Sequence, residues 1–323
     1  MENNELILSA CSLRKKFGLD AGFFAKADQH VYAVNNVSFD LHRGKTYGLV
    51  GESGCGKTTT ARLLIRMYEA DSGSVFYCGG NGKQKDVQKM NRKELALFRE
   101  KVRYVFQDPS RSLDPRLTVY DILTSSLKYS SKWKGKEDAR AKAAAIIEET
   151  GLDAKDLDRK PSEFSGGQRQ RISIARGLIM EPEVLVCDEV VSALDVSVQA
   201  QILNLLQELR EKRGLSFLFI AHDLKVSCWF CDTIGVMYRG MLVEEGSAKD
   251  MYKDALHPYT QALFAGAGGQ FKVEKNGEMK TLLESPRGCP FAHRCPKAGS
   301  HCREEVPEWK EISAGHKVRC FEV

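Results

Sequence analysis

The chain has 323 residues, a net charge of +5, 42% hydrophobic and 28% charged residues. That is an ordinary soluble globular composition, long enough for one large or two average domains with a sizeable core. A mild basic excess does not call for nucleic acid. No apolar run approaches ~18 residues, which excludes a transmembrane helix. Residues 1–6 lack the basic-then-apolar pattern of a secretory signal, so the expectation is a cytosolic chain whose membrane contacts go through a partner.

Residues 5–17 and 30–41 alternate apolar and polar side chains and read as strands, separated by an irregular stretch. Tyr47-Gly48-Leu49-Val50 is a short apolar strand. It runs into Gly51-Glu52-Ser53-Gly54-Cys55-Gly56-Lys57-Thr58, which fits the phosphate-binding pattern G-x-x-x-x-G-K-[ST]. A helix is predicted from Thr59 to Tyr68, with Leu63, Leu64 and Met67 on one face. Strand, glycine loop and helix together make the pattern a site. Gly51, Gly54 and Gly56 let the backbone N–H groups converge on a phosphate, and the helix N-terminus faces the same anion. Lys57 can reach the β- and γ-phosphates, and Thr58 can bind Mg²⁺.

Residues 73–78 read as a strand, 79–82 as a turn, 91–100 as a helix and 102–106 as a buried strand ending at Gln107. Residues 118–160 are mainly helical, so 107–165 forms a helical insertion. Helix 168–180, strand 184–187, helix 197–212 and strand 216–221 follow. Ile202, Leu203, Leu206 and Leu209 face inward on the second helix, and Gly214 lies just past its end. Residues 233–245 suggest a hairpin turning at Arg239-Gly240, and 266–280 a linker. Strands alternating with helices give an α/β core built on a parallel sheet.

Two further constellations carry chemistry. Ser165-Gly166-Gly167-Gln168 opens a helix and reads as a capping box, although a cap needs no glycines, and two of them allow close approach to a phosphate. The strand 184–187 delivers Asp188 and Glu189 at its C-terminal end, where α/β folds bind ligands. Asp188 suits Mg²⁺ and Glu189 suits orienting or deprotonating a water. His222 ends the next strand; alone, such a histidine is more often structural.

In this order, the P-loop, Gln107, Ser165-Gly-Gly-Gln168, Asp188-Glu189, Ser192-Ala-Leu-Asp195 and His222 resemble the ATP-binding cassette (ABC) ATPases. Five features resemble the ATP-binding subunits of bacterial oligopeptide/dipeptide importers. They are Gln107-Asp-Pro109 with Ser112-Leu-Asp-Pro-Arg116, Val191-Ser-Ala-Leu-Asp195, Met237-Tyr238 with Val243-Glu-Glu-Gly246, His257-Pro-Tyr-Thr260, and a cysteine-rich tail. The resemblance spans residues 6–323. It implies an α/β fold: a P-loop ABC ATPase core with a mainly parallel mixed sheet and an antiparallel N-terminal sheet, a helical subdomain and a small cysteine-rich extension. The implied boundaries are 1–265 for the nucleotide-binding domain and 266–323 for the extension.

The resemblance also implies roles. Residues 51–59, with Ser53, Cys55 and Thr59 among them, hold Mg·ATP together with Asp188. Gln107 links the metal to a transmembrane partner. Ser165, Gly167 and Gln168 face the γ-phosphate of an opposite subunit, Glu189 is the catalytic base, and His222 senses the γ-phosphate. Phe17 stacks on adenine, or is simply core. Val190 stands where proline is usual after the catalytic glutamate, and Phe164 where leucine is usual. The implied protein hydrolyses ATP to drive peptide import at the cytoplasmic face of the bacterial inner membrane. Its partners are a second ATPase subunit, a different one rather than a second copy, two permeases and, indirectly, an extracytoplasmic binding protein. Importers of nickel, glutathione or sugars are the alternatives, then a soluble ABC protein acting on nucleic acid or ribosomes, whose long insertions are missing here.

Of ten cysteines, Cys289, Cys295, Cys302 and Cys320 cluster near the end, among Pro290, Pro296 and Pro307. The x₅, x₆ and x₁₇ spacings are not those of a zinc finger. A small segment with little core needs a staple, and four thiolates fit a [4Fe–4S] cluster. The resembling family carries such a cluster in some members; zinc or unmetallated thiols are the alternatives. Cys228 and Cys231 read as helix packing rather than a redox pair.

Overall fold

The computed structural model describes residues 5–18, 30–80, 82–266 and 287–323; most of the linker expected over 266–280 lies outside them. In chain order the strands are β1 (Leu6–Gly18), β2 (His30–His42), β3 (Thr46–Val50), β4 (Ser72–Cys78), β5 (Gln84–Asp86), β6 (Val102–Val105), β7 (Val184–Asp188), β8 (Ser216–Ala221), β9 (Thr233–Tyr238), β10 (Met241–Ser247), β11 (Lys310–Ser313) and β12 (His316–Val318). The α-helices are α1 (Lys57–Leu64), α2 (Arg92–Lys101), α3 (Pro109–Ser112), α4 (Val119–Thr124), α5 (Lys136–Glu149), α6 (Gly166–Leu178), α7 (Val196–Arg213), α8 (Leu224–Phe230), α9 (Ala248–Lys253), α10 (Pro258–Gly266) and α11 (His301–Glu304). The chain divides into two units: residues 1–90 with 219–323, and residues 91–218, the boundary falling inside β8.

The first unit contains an antiparallel sheet in the order β2-β1-β4-β5; the expected alternation holds in the second half of each strand, whereas Ile7, Leu8, Ser9 and Ala10 of β1 are buried in succession. It also contains the strand series β11-β12-β10-β9-β3. There β3 runs parallel to β9, Val50 opposite Val236, while β9, β10, β12 and β11 are antiparallel. All five residues of β3 are buried, as a strand covered on both faces requires. The β9–β10 hairpin turns at Arg239 and Gly240, both with positive φ (44° and 81°), the geometry of a tight two-residue turn.

Helix α1 differs from expectation. It starts at Lys57, capped by Gly56, and stops at Leu64. Arg66 adopts a positive φ of 53° and donates to Val87 and Met90 carbonyls, which turns the chain and leaves Met67 45% exposed rather than in the helix's apolar face. Leu63 and Leu64 are fully buried as expected.

The second unit pairs β6 with β7 in parallel. Its insertion is helical but broken: Pro115 lies between α3 and α4, and one 3₁₀ turn and Gly135 lie between α4 and α5. Helix α7 buries Ile202, Leu203, Leu205, Leu206 and Leu209 and ends at Gly214 with φ 64°, a left-handed C-cap.

Candidate functional site

In the first unit, β3 delivers the glycine loop and α1 leaves it. A Cβ at Gly51 would overlap the Met237 carbonyl, and one at Gly56 (φ 108°) the Ala33 carbonyl, so both positions are closed to any side chain. The Lys57 side chain is buried and folds over the loop, its Nζ donating to Gly51 O (2.7 Å) and Glu52 O (3.0 Å). Cys55 is buried beside it, and burial pushes its thiol pKa up. Glu52 sits in one of the pattern's variable positions, yet it is tightly held. Its N–H donates to Tyr259 Oη at 2.9 Å, and Arg294 grips its carboxylate with two bonds of 2.9 and 3.1 Å.

Phe17 lies half-buried near the end of β1, edge-on to Tyr68 at 5.4 Å, with Lys15 Nζ 5.6 Å from its ring. His222 follows β8 and is exposed; Asp223 beside it caps α8. Cys228 and Cys231 form no disulfide, and Cys231 packs where a Cβ on Gly48 would meet its sulfur at 2.8 Å.

In the second unit, buried β7 ends at Asp188, which is 2% exposed and accepts a 2.5 Å bond from Tyr104 Oη. Tyr104 pairs with Val186 on the neighbouring strand, a register that no local pattern reveals. Glu189 is next and holds a left-handed φ of 49°, an unfavourable backbone state for a non-glycine residue that recurs at functional sites. Gln107 Nε2 donates to Glu189 Oε2 at 2.6 Å. Gln107, Asp188 and Glu189 therefore form one cluster: a buried carboxylate able to serve a divalent cation, and a second carboxylate with an amide able to hold a water. Val190 is buried (1% exposed) and keeps the turn packed without proline.

Ser165 and Gln168 form the expected capping box on α6, with bonds of 2.9 and 3.3 Å. The two glycines between them differ. A Cβ on Gly167 would meet Val198 at 2.5 Å, whereas one on Gly166 would meet only Leu194 at 3.8 Å. Packing explains the first glycine and leaves the second unexplained.

The four clustered cysteines all line one pocket, with Phe291, Ala292, Ala298, Pro307 and Phe321 among its apolar walls. All are free thiols. Burial, reinforced by the neighbouring sulfurs, raises Cys289 to about 11 and pushes Cys295 and Cys320 up. His301, Cys302 and Glu322 also offer ligand atoms within 4.8 Å of one another. The segment is anchored by Glu244, fully buried on β10. Its carboxylate accepts from Leu256 N (2.8 Å) and His257 N (2.9 Å) and lies 2.9 Å from His316 Nε2. His257 is buried, which lowers its pKa to about 4, and its Nδ1 accepts the Tyr259 N–H.

Comparison with known proteins places this geometry. A family model described as "ABC transporter" matches residues 34–192, and one described as "Oligopeptide/dipeptide transporter, C-terminal region" matches 243–302. The dipeptide transport ATP-binding protein DppF of Haemophilus influenzae is 42% identical over 100% of this chain and 98% of its own length. The oligopeptide transport ATP-binding protein AppF of Bacillus subtilis is 40% identical over 98% of each. The ATP-binding cassette MJ0796, solved as a dimer in a post-hydrolysis state bound to ADP and Pi, superposes with a TM-score of 0.64 at 26% identity, covering 75% of this chain and 99% of that one. The cassette MJ1267 in its ADP conformation gives 0.64 at 27% identity over 81% and 99%.

Proposed function

This chain belongs to the ATP-binding subunits of the oligopeptide/dipeptide ABC transporter family, and from that premise we propose a residue-level account of how it works. The chain is an ABC ATPase that binds Mg·ATP and works with transmembrane permeases. We propose that the solute moved is a di- or oligopeptide, the cargo named for DppF and AppF, and that transport is inward. Peripheral attachment at the cytoplasmic face, through the permeases, is part of this proposal; among the described residues no helix is long and apolar enough to cross a membrane.

The observation that carries the catalytic part is the Gln107–Glu189 bond beside buried Asp188. Glu189 takes the proton of the attacking water, and its strained backbone holds the carboxylate beyond the strand end. Thr58, Asp188 and Gln107 would each offer an oxygen to Mg²⁺, which would neutralise phosphate charge. Lys57 exchanges its two loop carbonyls for phosphate oxygens, with residues 51–59 wrapping the phosphates. Phe17 presents a half-exposed ring to adenine, and His222 meets the γ-phosphate. Ser165, Gly167 and Gln168 serve the nucleotide of an opposite subunit, so ATP closes a head-to-tail dimer with a second ATPase chain. The open space at Gly166 supports a close approach there.

The four-thiol pocket fits a [4Fe–4S] cluster by its donor set, since soft thiolates suit iron–sulfur or zinc and burial disfavours bare thiolates. Cys289, Cys295, Cys302 and Cys320 would hold it, and it would staple a segment with little core of its own. Zinc is the second reading, and the ligand atoms of His301, Cys302 and Glu322, within 4.8 Å of one another, are the observation that favours it.

Co-expression with the permeases and reconstitution tests the function. ATP-dependent accumulation of labelled di- or oligopeptide is expected, competed by unlabelled peptide. Accumulation of another solute class, with none of peptide, would overturn the substrate.

A further inference from the structure

The P-loop and the cysteine pocket touch through a few residues, all within the first unit. The chain between Cys289 and Cys295 is short and runs along the pocket wall, with both end thiols and Phe291 lining the pocket; backbone bonds fix its course, Cys289 N to Cys302 O (2.8 Å), Ala292 N to Cys289 O (3.0 Å) and Arg294 N to Phe291 O (2.9 Å). Arg294 projects from this stretch and makes its two bonds to the Glu52 carboxylate. Phe291 packs on Tyr259 (5.4 Å) and Tyr238 (5.3 Å), and Tyr259 Oη accepts the Glu52 N–H. His257 and Pro258, immediately before Tyr259, also line the pocket. Both the side chain and the backbone of Glu52 are thus held by groups whose positions depend on the thiol pocket.

We propose that Arg294 is a positioning residue for the P-loop, through which the state of the four-thiol pocket and nucleotide binding are thermodynamically coupled. This rests on the assignment of residues 51–58 as the phosphate site. A tail whose pocket is intact holds Glu52, and through it the start of the loop, in the shape that receives phosphate. A tail that opens releases Arg294 and Tyr259 together, and the loop must then be ordered by the nucleotide at a cost in affinity. Because coupling is reciprocal, bound ATP must hold the tail closed by the same factor. The pair is bidentate, but its side chains are 22% and 31% exposed, which keeps the effect modest.

The test uses the full chain. Kd for Mg·ATP is measured in the wild type, Arg294→Gln, Arg294→Lys, Glu52→Gln and the double variant Glu52→Gln/Arg294→Gln. The expected losses are about three- to five-fold for each single Gln variant, no further loss in the double, and partial recovery in Arg294→Lys. In the assembled transporter Arg294→Gln should raise KM for ATP and leave kcat unchanged. Iodoacetamide labelling of Cys289 and Cys295, resolved by mass spectrometry, should slow on adding ATP in the wild type but not in Arg294→Gln. Unchanged Kd in Arg294→Gln, additive losses in the double variant, or wild-type labelling indifferent to ATP would overturn the coupling. Lys57→Ala separates the two ideas: retained ATP binding there would bring down the phosphate-site assignment itself, whatever Arg294 does.

Discussion

The P-loop and the cysteine-rich segment sit in one unit and meet at Glu52, but they are assembled by opposite means. The P-loop is a local object. A buried strand, a loop that excludes side chains at Gly51 and Gly56, and a helix beginning at Lys57 follow one another without interruption. The cysteine-rich segment has a four-residue helix and strands of four and three residues. It is anchored instead by a buried carboxylate on β10, and its pocket gathers thiols from well-separated positions. A local site tolerates damage elsewhere, whereas a site gathered over distance fails as a unit.

The largest expected effect lies on the nucleotide side. Glu189→Gln keeps the shape and the Gln107 contact but removes the base. ATP hydrolysis in the assembled transporter should fall by ~10² or more, with ATP still bound and the closed dimer trapped. Phosphate release and nucleotide retention measure it. Wild-type turnover would remove Glu189 from the base role. The substitution itself should not disturb the cysteine pocket, whose only change should be the protection that bound ATP confers.

The cysteine side should break as a whole. Protein purified anaerobically should be brown, with about four irons per chain. Cys302→Ser should be colourless, and its C-terminal segment should become protease-sensitive while the nucleotide core stays folded. Structural metal sites contribute on the order of 10 kcal/mol to the fold they hold, so one lost ligand suffices. One zinc and no iron would replace the cluster with zinc. Neither metal, with all four thiols alkylated in the folded protein, would leave the segment to its protein contacts alone.

Those contacts come next in size. Glu244→Leu strands the Leu256 and His257 N–H groups and His316 in a dry interior, at a cost of about 3 kcal/mol or more. Denaturant unfolding and limited proteolysis should show the C-terminal segment loosened first. The ATP affinity should fall at least as far as in Arg294→Gln, because loosening this segment frees Tyr259 along with Arg294.

The same contrast explains what could be read from sequence. The P-loop, the Asp188–Glu189 pair, the capping box and the β9–β10 hairpin were legible, because each is written in consecutive residues at a spacing with one physical meaning. Helix α1 ending at Leu64 was not, since its stop depends on Arg66 reaching Val87 and Met90. Glu244 was visible only as part of a resembling string. Its partners lie 12, 13 and 72 residues away. Arg294 and Glu52 are 242 residues apart, and Tyr104 reaches Asp188 across 84, so no window of sequence contains either pair.

The smallest effects on stability separate two neighbouring glycines. Both were read as allowing a phosphate to approach, yet their surroundings differ. At Gly167 an added methyl must displace Val198 on α7, met at 2.5 Å, and Gly167→Ala should cost about 1 kcal/mol by overpacking. At Gly166 there is room, with Leu194 at 3.8 Å, and alanine is the better helix former. Gly166→Ala should therefore leave the melting temperature unchanged or slightly raised. If an opposite subunit's nucleotide presses against this helix start, the same methyl should still depress ATPase activity in the assembled transporter, with ATP binding to the isolated chain intact. Loss of activity without loss of stability assigns Gly166 to the closed dimer. Full activity would show that nothing approaches the residue, and the composite-site reading would then have to stand on Ser165, Gly167 and Gln168.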